Sequence, residues 1–175
     1  MSSFIKLLAL LASLAAAFQC TTKKSVPDSF PGNVQVGTKI PDFSCQTSDG
    51  AFVTSESLAK KPSLIIFFQP RCADCVYQLG QVDAVWSSMS EEKKAGYNFL
   101  AISGGYPDEA RKYWKEAGYT LPVSFQDDQT IYDLFSTKGF PSVYMADTGG
   151  EVRFTIFANN MQPAAFLIRD LATLE

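Results

Sequence analysis

Three features of the chain predict an α/β fold, with a mixed central sheet flanked by helices on both faces and an N-terminal β-hairpin. Residues 64–68 form an unbroken apolar run of strand length, Leu-Ile-Ile-Phe-Phe. Helix-period apolar positions start soon after it, at Cys75, Val76, Leu79, Val82, Val85, Trp86 and Met89. Strand-like and helix-like segments then alternate, and a late pair of strands joined by Asp147-Thr148-Gly149-Gly150 precedes a final helix. Alternation implies parallel pairing, and the late hairpin adds an antiparallel edge.

The elements follow in order. Ile40-Pro41-Asp42-Phe43 opens the globular part, and Asp49-Gly50 is a turn signal between strands at 43–47 and 51–54. Residues 55–61 suit a short helical turn. The run at 64–68 carries no polar alternation, which fits a central strand buried on both faces. Gln69-Pro70-Arg71 ends it, and Gly80 lies inside the helix that follows, where it weakens helical preference. A second strand is predicted at 98–102. Pro107 suits the first turn of a helix over 108–117. A short strand is expected at 121–125, and Asp127 or Asp128 can cap a helix through Ile131, Leu134 and Phe135. Strands at 142–146 and 151–157 form the late hairpin, and Pro163 begins the last helix through Phe166, Leu167 and Leu171. No internal repeat is present.

With 175 residues, 46% of them hydrophobic, the chain is long enough for one domain with a substantial core. The formal charge is −3 and no basic cluster occurs, which argues against nucleic acid as a partner. There is no histidine. A Ser–His or Cys–His nucleophile pair is therefore excluded, and a zinc or copper site would have to form without imidazole. No metal or organic cofactor is expected.

The first twenty residues read as an export signal: one early cation, Lys6, precedes an apolar run from Leu7 to Phe18, well short of the ~20 residues of a spanning helix. Cys20 ends this segment and resembles the lipidation site of a bacterial lipoprotein, although Ala17-Phe18-Gln19 departs from the small residues expected before one. Ordinary secretion and an uncleaved anchor are the alternatives. The expected organisation is a signal at 1–20, a tether at 21–38 and the domain at 39–175. Localisation is the cell envelope or periplasm, with a lipid anchor if Cys20 is modified. Oxidising compartments permit disulfides, and setting Cys20 aside leaves Cys45, Cys72 and Cys75.

Cys72 and Cys75 form a C-x-x-C that follows a buried strand and opens a helix. Free N–H groups and the macrodipole at that helix end favour an anion, so a thiolate at Cys72 gains from both. Cys75, one turn later on the same face, is placed to attack a mixed disulfide. Arg71 is expected to favour the Cys72 thiolate and Asp74 to oppose it. Protein dithiols span about −270 to −120 mV, so the direction of electron flow stays open; the absence of a histidine between the cysteines leans toward a reductase. A zinc site lacks ligands, and a purely structural disulfide across so short a loop closes too little chain to add much stability. Cys45 reads as a small buried residue.

The stretch Leu64-Ile-Ile-Phe-Phe-Gln-Pro-Arg-Cys-Ala-Asp-Cys resembles the active-site strand and turn of the thioredoxin superfamily. Gly37-Thr-Lys-Ile-Pro-Asp-Phe-Ser and Asp49-Gly50 are similar to the N-terminal hairpin of TlpA-like and redoxin (AhpC/TSA-type) members. Gly139-Phe140-Pro141 resembles the family's cis-proline loop. The resemblance covers about residues 35–175. It implies a thioredoxin-like fold, Cys72 as nucleophile, Cys75 as resolving thiol, a redox-active Cys72–Cys75 disulfide, and Phe140 with cis Pro141 at the substrate. Arg71 replaces the usual tryptophan, and Gln78 stands where TlpA-like members commonly carry an acid, a task for which Asp74 is the remaining candidate.

The function this predicts is thiol–disulfide exchange on exported proteins, supplied by an upstream electron donor. Two alternatives are weighed against it. A redoxin-type peroxidase wants a hydroxyl four residues after a proline and a cysteine three further on; counting from Pro70 gives Asp74 and Tyr77. A copper carrier on this fold usually adds a histidine and a wider cysteine spacing, both missing here, and in an inert binding domain Cys72 would show no enhanced alkylation near neutral pH. The aromatics Phe68, Tyr77, Tyr106 and Phe140 are candidates for core or for the rim of the site.

Overall fold

The computed structural model describes residues 34–175. The expected signal at 1–20, Cys20 and most of the expected tether lie outside the described residues.

Strands β1 (Ser44–Gln46) and β2 (Phe52–Thr54) pair antiparallel around a turn in which Gly50 takes φ +90°, a conformation that favours glycine. Helix α1 (Ser55–Leu58) follows directly, capped by the Thr54 side chain. The remaining elements are β3 (Ser63–Phe68), α2 (Ala73–Ser88), α3 (Glu91–Ala95), β4 (Asn98–Ser103), α4 (Pro107–Ala117), β5 (Val123–Ser124), α5 (Thr130–Phe135), β6 (Ser142–Ala146), β7 (Val152–Phe157), a 3-10 turn (Ala158–Asn160) and α6 (Ala164–Leu171). The main sheet has the order β5-β4-β3-β6-β7. Its β5-β4-β3 half is parallel, and β6 and β7 run antiparallel to their neighbours. The predicted mixed sheet and N-terminal hairpin are both present.

All six residues of β3 are buried, as its uninterrupted apolar composition implies for a strand covered on two faces. Leu64, Ile66 and Phe68 point to one core with Leu79, Val82 and Val85 of α2, Trp114 of α4, and Leu167 and Leu171 of α6. Ile65 and Phe67 point to the other, with Cys45, Leu58, Ile131 and Phe135. Helices thus flank both faces, and the period of two along β3 sorts its side chains between them.

Three local outcomes differ from the sequence reading or extend it. Residues 34–38, expected in the tether, are packed on the domain: Val34 is buried, its N–H donates to Phe135 O at 2.9 Å, and Gly37 N–H donates to Val152 O at 2.8 Å. The Lys, Pro, Ser and Gly of the 21–38 segment as a whole suggest a linker, but the backbone groups of 34–38 find partners beside α5 and β7. Helix α3 was not anticipated, because none of its residues is buried and it carries no apolar period; Ser90 caps it, with Glu91 and Glu92 in its first turn. Helix α2 runs unbroken through Gly80.

The feature that positions the site is the antiparallel pairing of β3 with β6. Phe67 lies opposite Ser142, so the end of β3 and the start of β6 share one edge of the sheet. The segments 69–72 and 139–141 therefore emerge side by side.

Candidate active site

The chain leaves β3 at Phe68, turns through Gln69-Pro70-Arg71, and enters α2 with Cys72 as its N-cap. Cys72 has extended backbone (φ −96°, ψ 114°), and its Sγ accepts the N–H of Cys75 at 3.2 Å. Sulfur here occupies the place a serine or aspartate oxygen commonly takes at a helix start. The Cys72 thiol also donates to Phe140 O at 3.6 Å. Cys72 is half-buried, whereas Cys75 is fully buried; both are free thiols. Burial pushes the Cys75 thiol well above its ordinary range, and the neighbouring Cys72 sulfur pushes the same way.

The Phe140–Pro141 bond is cis. The Phe140 ring stacks on Tyr132 at 4.3 Å, and the Tyr132 hydroxyl accepts the N–H of Gly139 at 2.6 Å. Gly104, just past β4, packs against the tip of that ring: a Cβ there would clash with Phe140 Cζ. Gln69 Nε2 donates to Gly104 O at 3.2 Å, which ties this loop to the turn before Cys72. Three loops therefore meet at the cysteine pair. Gly104→Ala is expected to displace the Phe140 ring and destabilise the fold by about 1–3 kcal/mol, as overpacking does. A lowered denaturant midpoint measures the effect.

Arg71 does not turn to the Cys72 sulfur. Its guanidinium forks onto Glu109 of α4 at 2.6 and 2.7 Å, an exposed pair, and lies 5.9 Å from the centre of the Tyr106 ring. A matched carboxylate fork outcompetes a single sulfur for the planar guanidinium. Asp74 sits on the exposed first turn of α2. Tyr106 precedes Pro107 in the left-handed region (φ 54°, ψ 55°), and its ring is exposed, as are Val76 and Tyr77 on α2. Phe68, by contrast, is core. The conformation of Tyr106 had no signal in the sequence beyond the preceding Gly-Gly and following proline.

Gln78 is completely buried one turn after Cys75. Its Nε2 donates to Gln162 O at 3.1 Å and its Oε1 accepts the N–H of Gln162 at 2.9 Å. The sequence marked Gln78 only as a missing acid; its partner 84 positions away was not readable. Cys45 belongs to the opposite core, where burial raises its thiol and the Ser124 hydroxyl partly offsets this. Among the described residues, no three His, Cys, Asp or Glu side chains converge as metal ligands.

Residues 36–171 match the AhpC/TSA family. The chain is similar to the chloroplastic peroxiredoxin Q of Oryza sativa subsp. japonica, 26% identical over 157 residues, with 82% of this chain and 68% of that protein covered. The chloroplastic peroxiredoxin Q of Gentiana triflora is 26% identical over 168 residues, covering 85% and 73%. Among solved structures, a candidate protein disulfide isomerase from Bacteroides thetaiotaomicron superposes with TM-score 0.73 at 21% identity, covering 83% of this chain and 93% of that one. A secreted Mycobacterium tuberculosis disulfide oxidoreductase homologous to E. coli DsbE gives TM-score 0.62 at 17% identity, covering 75% and 96%. These structural likenesses carry the fold, and the family match spans most of the domain. The chain belongs to the AhpC/TSA family of thiol-dependent oxidoreductases, built on the thioredoxin fold.

Proposed function

We propose that this protein reduces disulfides in exported proteins by exchange through Cys72 and Cys75. The observation that carries the reading is the seating of the Cys72 sulfur: it caps α2, takes the Cys75 N–H at 3.2 Å, and faces the Phe140 carbonyl beside the cis proline. A sulfur in that position meets an extended client strand whose backbone lies along residues 139–141. The Cys72 thiolate attacks one client sulfur, and the other leaves and takes up a proton. Cys75 then attacks Cys72 Sγ, releasing the second client thiol and forming the Cys72–Cys75 disulfide. Two electrons have passed to the client, and an upstream dithiol donor restores the pair. Phe140 and Pro141 orient the client, and the exposed Val76, Tyr77 and Tyr106 give it apolar contacts at the rim. Placement in the cell envelope, with a lipid on Cys20, follows from the N-terminal segment and belongs to the same proposal.

The likeness to peroxiredoxin Q favours a second reading, peroxide reduction. Residues 69–78 contain no serine or threonine to polarise a peroxide, and Arg71 is committed to Glu109. Exchange is the better fit. The test is a Cys75→Ser variant expressed in its host. It should accumulate mixed disulfides through Cys72, visible on non-reducing gels and identified by mass spectrometry. No adducts, together with a wild-type protein that consumes peroxide but leaves insulin intact, would replace the exchange reading with the peroxidase one.

A further inference from the structure

Gln78 lies on the same face of α2 as Cys75, one turn on, and no part of it reaches solvent. Both ends of its amide are engaged by the backbone of Gln162. Gln81, on the next turn, accepts the N–H of Ala164, the first residue of α6, at 2.9 Å. Two glutamines thus stitch the reactive helix to the start of α6. An amide held this way neither accepts nor releases a proton in the neutral range.

The other groups that face Cys75 do not fill that role. The Cys72 sulfur and the Asp74 charge push its thiol further up, and a backbone group of Gln69 only partly offsets them. Asp74 stands on the solvent side of the first turn. From α4, Tyr113 is hydrogen-bonded to Tyr119 at 3.0 Å and stays protonated, since burial and that neighbour both raise it. Arg71 is forked onto Glu109. The loop before β6 presents a carbonyl, and α6 presents Leu167 and Leu171 to this core.

We infer that Gln78 is a positioning residue that seats Cys75 behind Cys72 without serving as a base, so that breakdown of the mixed disulfide limits turnover near neutral pH. This deepens the exchange reading and rests on it. In that step the Cys75 S–H bond breaks and its electron pair forms the bond to Cys72 Sγ. The client sulfur leaves with the pair of the old disulfide, and the proton reaches it through water. A long-lived mixed disulfide gives a client with further cysteines a second route. Another client thiol attacks the client sulfur, its proton passes to the released Cys72, and the client disulfide is relocated with no net electron transfer. The substrate class this favours is proteins carrying several cysteines in mismatched pairs.

The experiment is single-turnover reaction of the reduced full-length protein with a peptide holding one disulfide, quenched with acid and alkylated, from pH 6 to 9. The mixed disulfide should accumulate at pH 7, and its decay should quicken about tenfold per pH unit without levelling, as expected when a buried thiol loses its proton to solvent. Levelling between pH 6 and 8 would reveal a protein base and overturn the inference without recourse to any variant. Gln78→Glu should speed decay at pH 7 by about tenfold or more and introduce such a plateau. A folded Gln78→Glu protein that decays at the wild-type rate and slope also overturns it. Failure of Cys75→Ser to form any adduct sinks the exchange reading instead, so the two failures are distinguishable.

Discussion

Cys72→Ser is expected to reduce disulfide-exchange activity to background, a loss on the order of 10³-fold or more, while leaving the fold as stable as before. The two halves of this expectation have separate causes. Exchange needs a sulfur anion, and a serine hydroxyl neither ionises near neutral pH nor forms a disulfide. The stability half follows from the second task of Cys72, which is to cap α2 by accepting the Cys75 N–H. Serine is among the favoured N-cap residues, so its oxygen takes over that bond. Cys72→Ala should lose the activity equally and cost about 1 kcal/mol besides, because the cap goes too. Insulin reduction and thermal unfolding of the two variants check this. Exchange activity retained in Cys72→Ser would move the nucleophile elsewhere.

Phe67→Ala is expected to cost about 3–5 kcal/mol, a large share of the 5–15 kcal/mol by which a domain is stable. Phe67 is fully buried and touches three aromatic rings: Phe135 at 4.9 Å, Tyr132 at 5.6 Å and Tyr144 at 6.2 Å between centroids. Truncation leaves a cavity in the centre of the sheet, which rigid neighbours fill poorly. The effect reaches function through Tyr132, which carries Phe140 on its face and holds Gly139 by its hydroxyl. Urea denaturation should show the lowered midpoint, and the residual folded protein should turn over clients more slowly than wild type. A loss below 1 kcal/mol would mean that the ring cluster collapses into the gap.

Much of this architecture was legible before any coordinates. The run at 64–68 announced a doubly covered strand because no polar residue interrupts it, and β3 is buried along its whole length. The period change at Cys72 located α2, and Asp49-Gly50 located the hairpin. Elements without an apolar face escaped: α3 is held by its cap, its end charges and Lys94 lying over the Trp86 ring, and residues 34–38 dock through Val34 and backbone groups too few to make a periodic pattern. At the site, adjacency along the chain was readable and contact across it was not. Asp74 was placed on the right turn, yet the fork from Arg71 to Glu109 and the clamp from Gln78 to Gln162 join residues 38 and 84 positions apart. Geometry of that kind is set by tertiary packing, and local composition carries no record of it.

The seating of Cys72 against Phe140 has a consequence for the newly made chain. The two residues are 68 positions apart, and β6 must cross to the far side of β3 before they meet. Until that closure, a newly made chain carries Cys72 and Cys75 without residues 139–141 beside them. Synthesis of the two thiols therefore precedes assembly of their surroundings, and only docking of the C-terminal half joins the two.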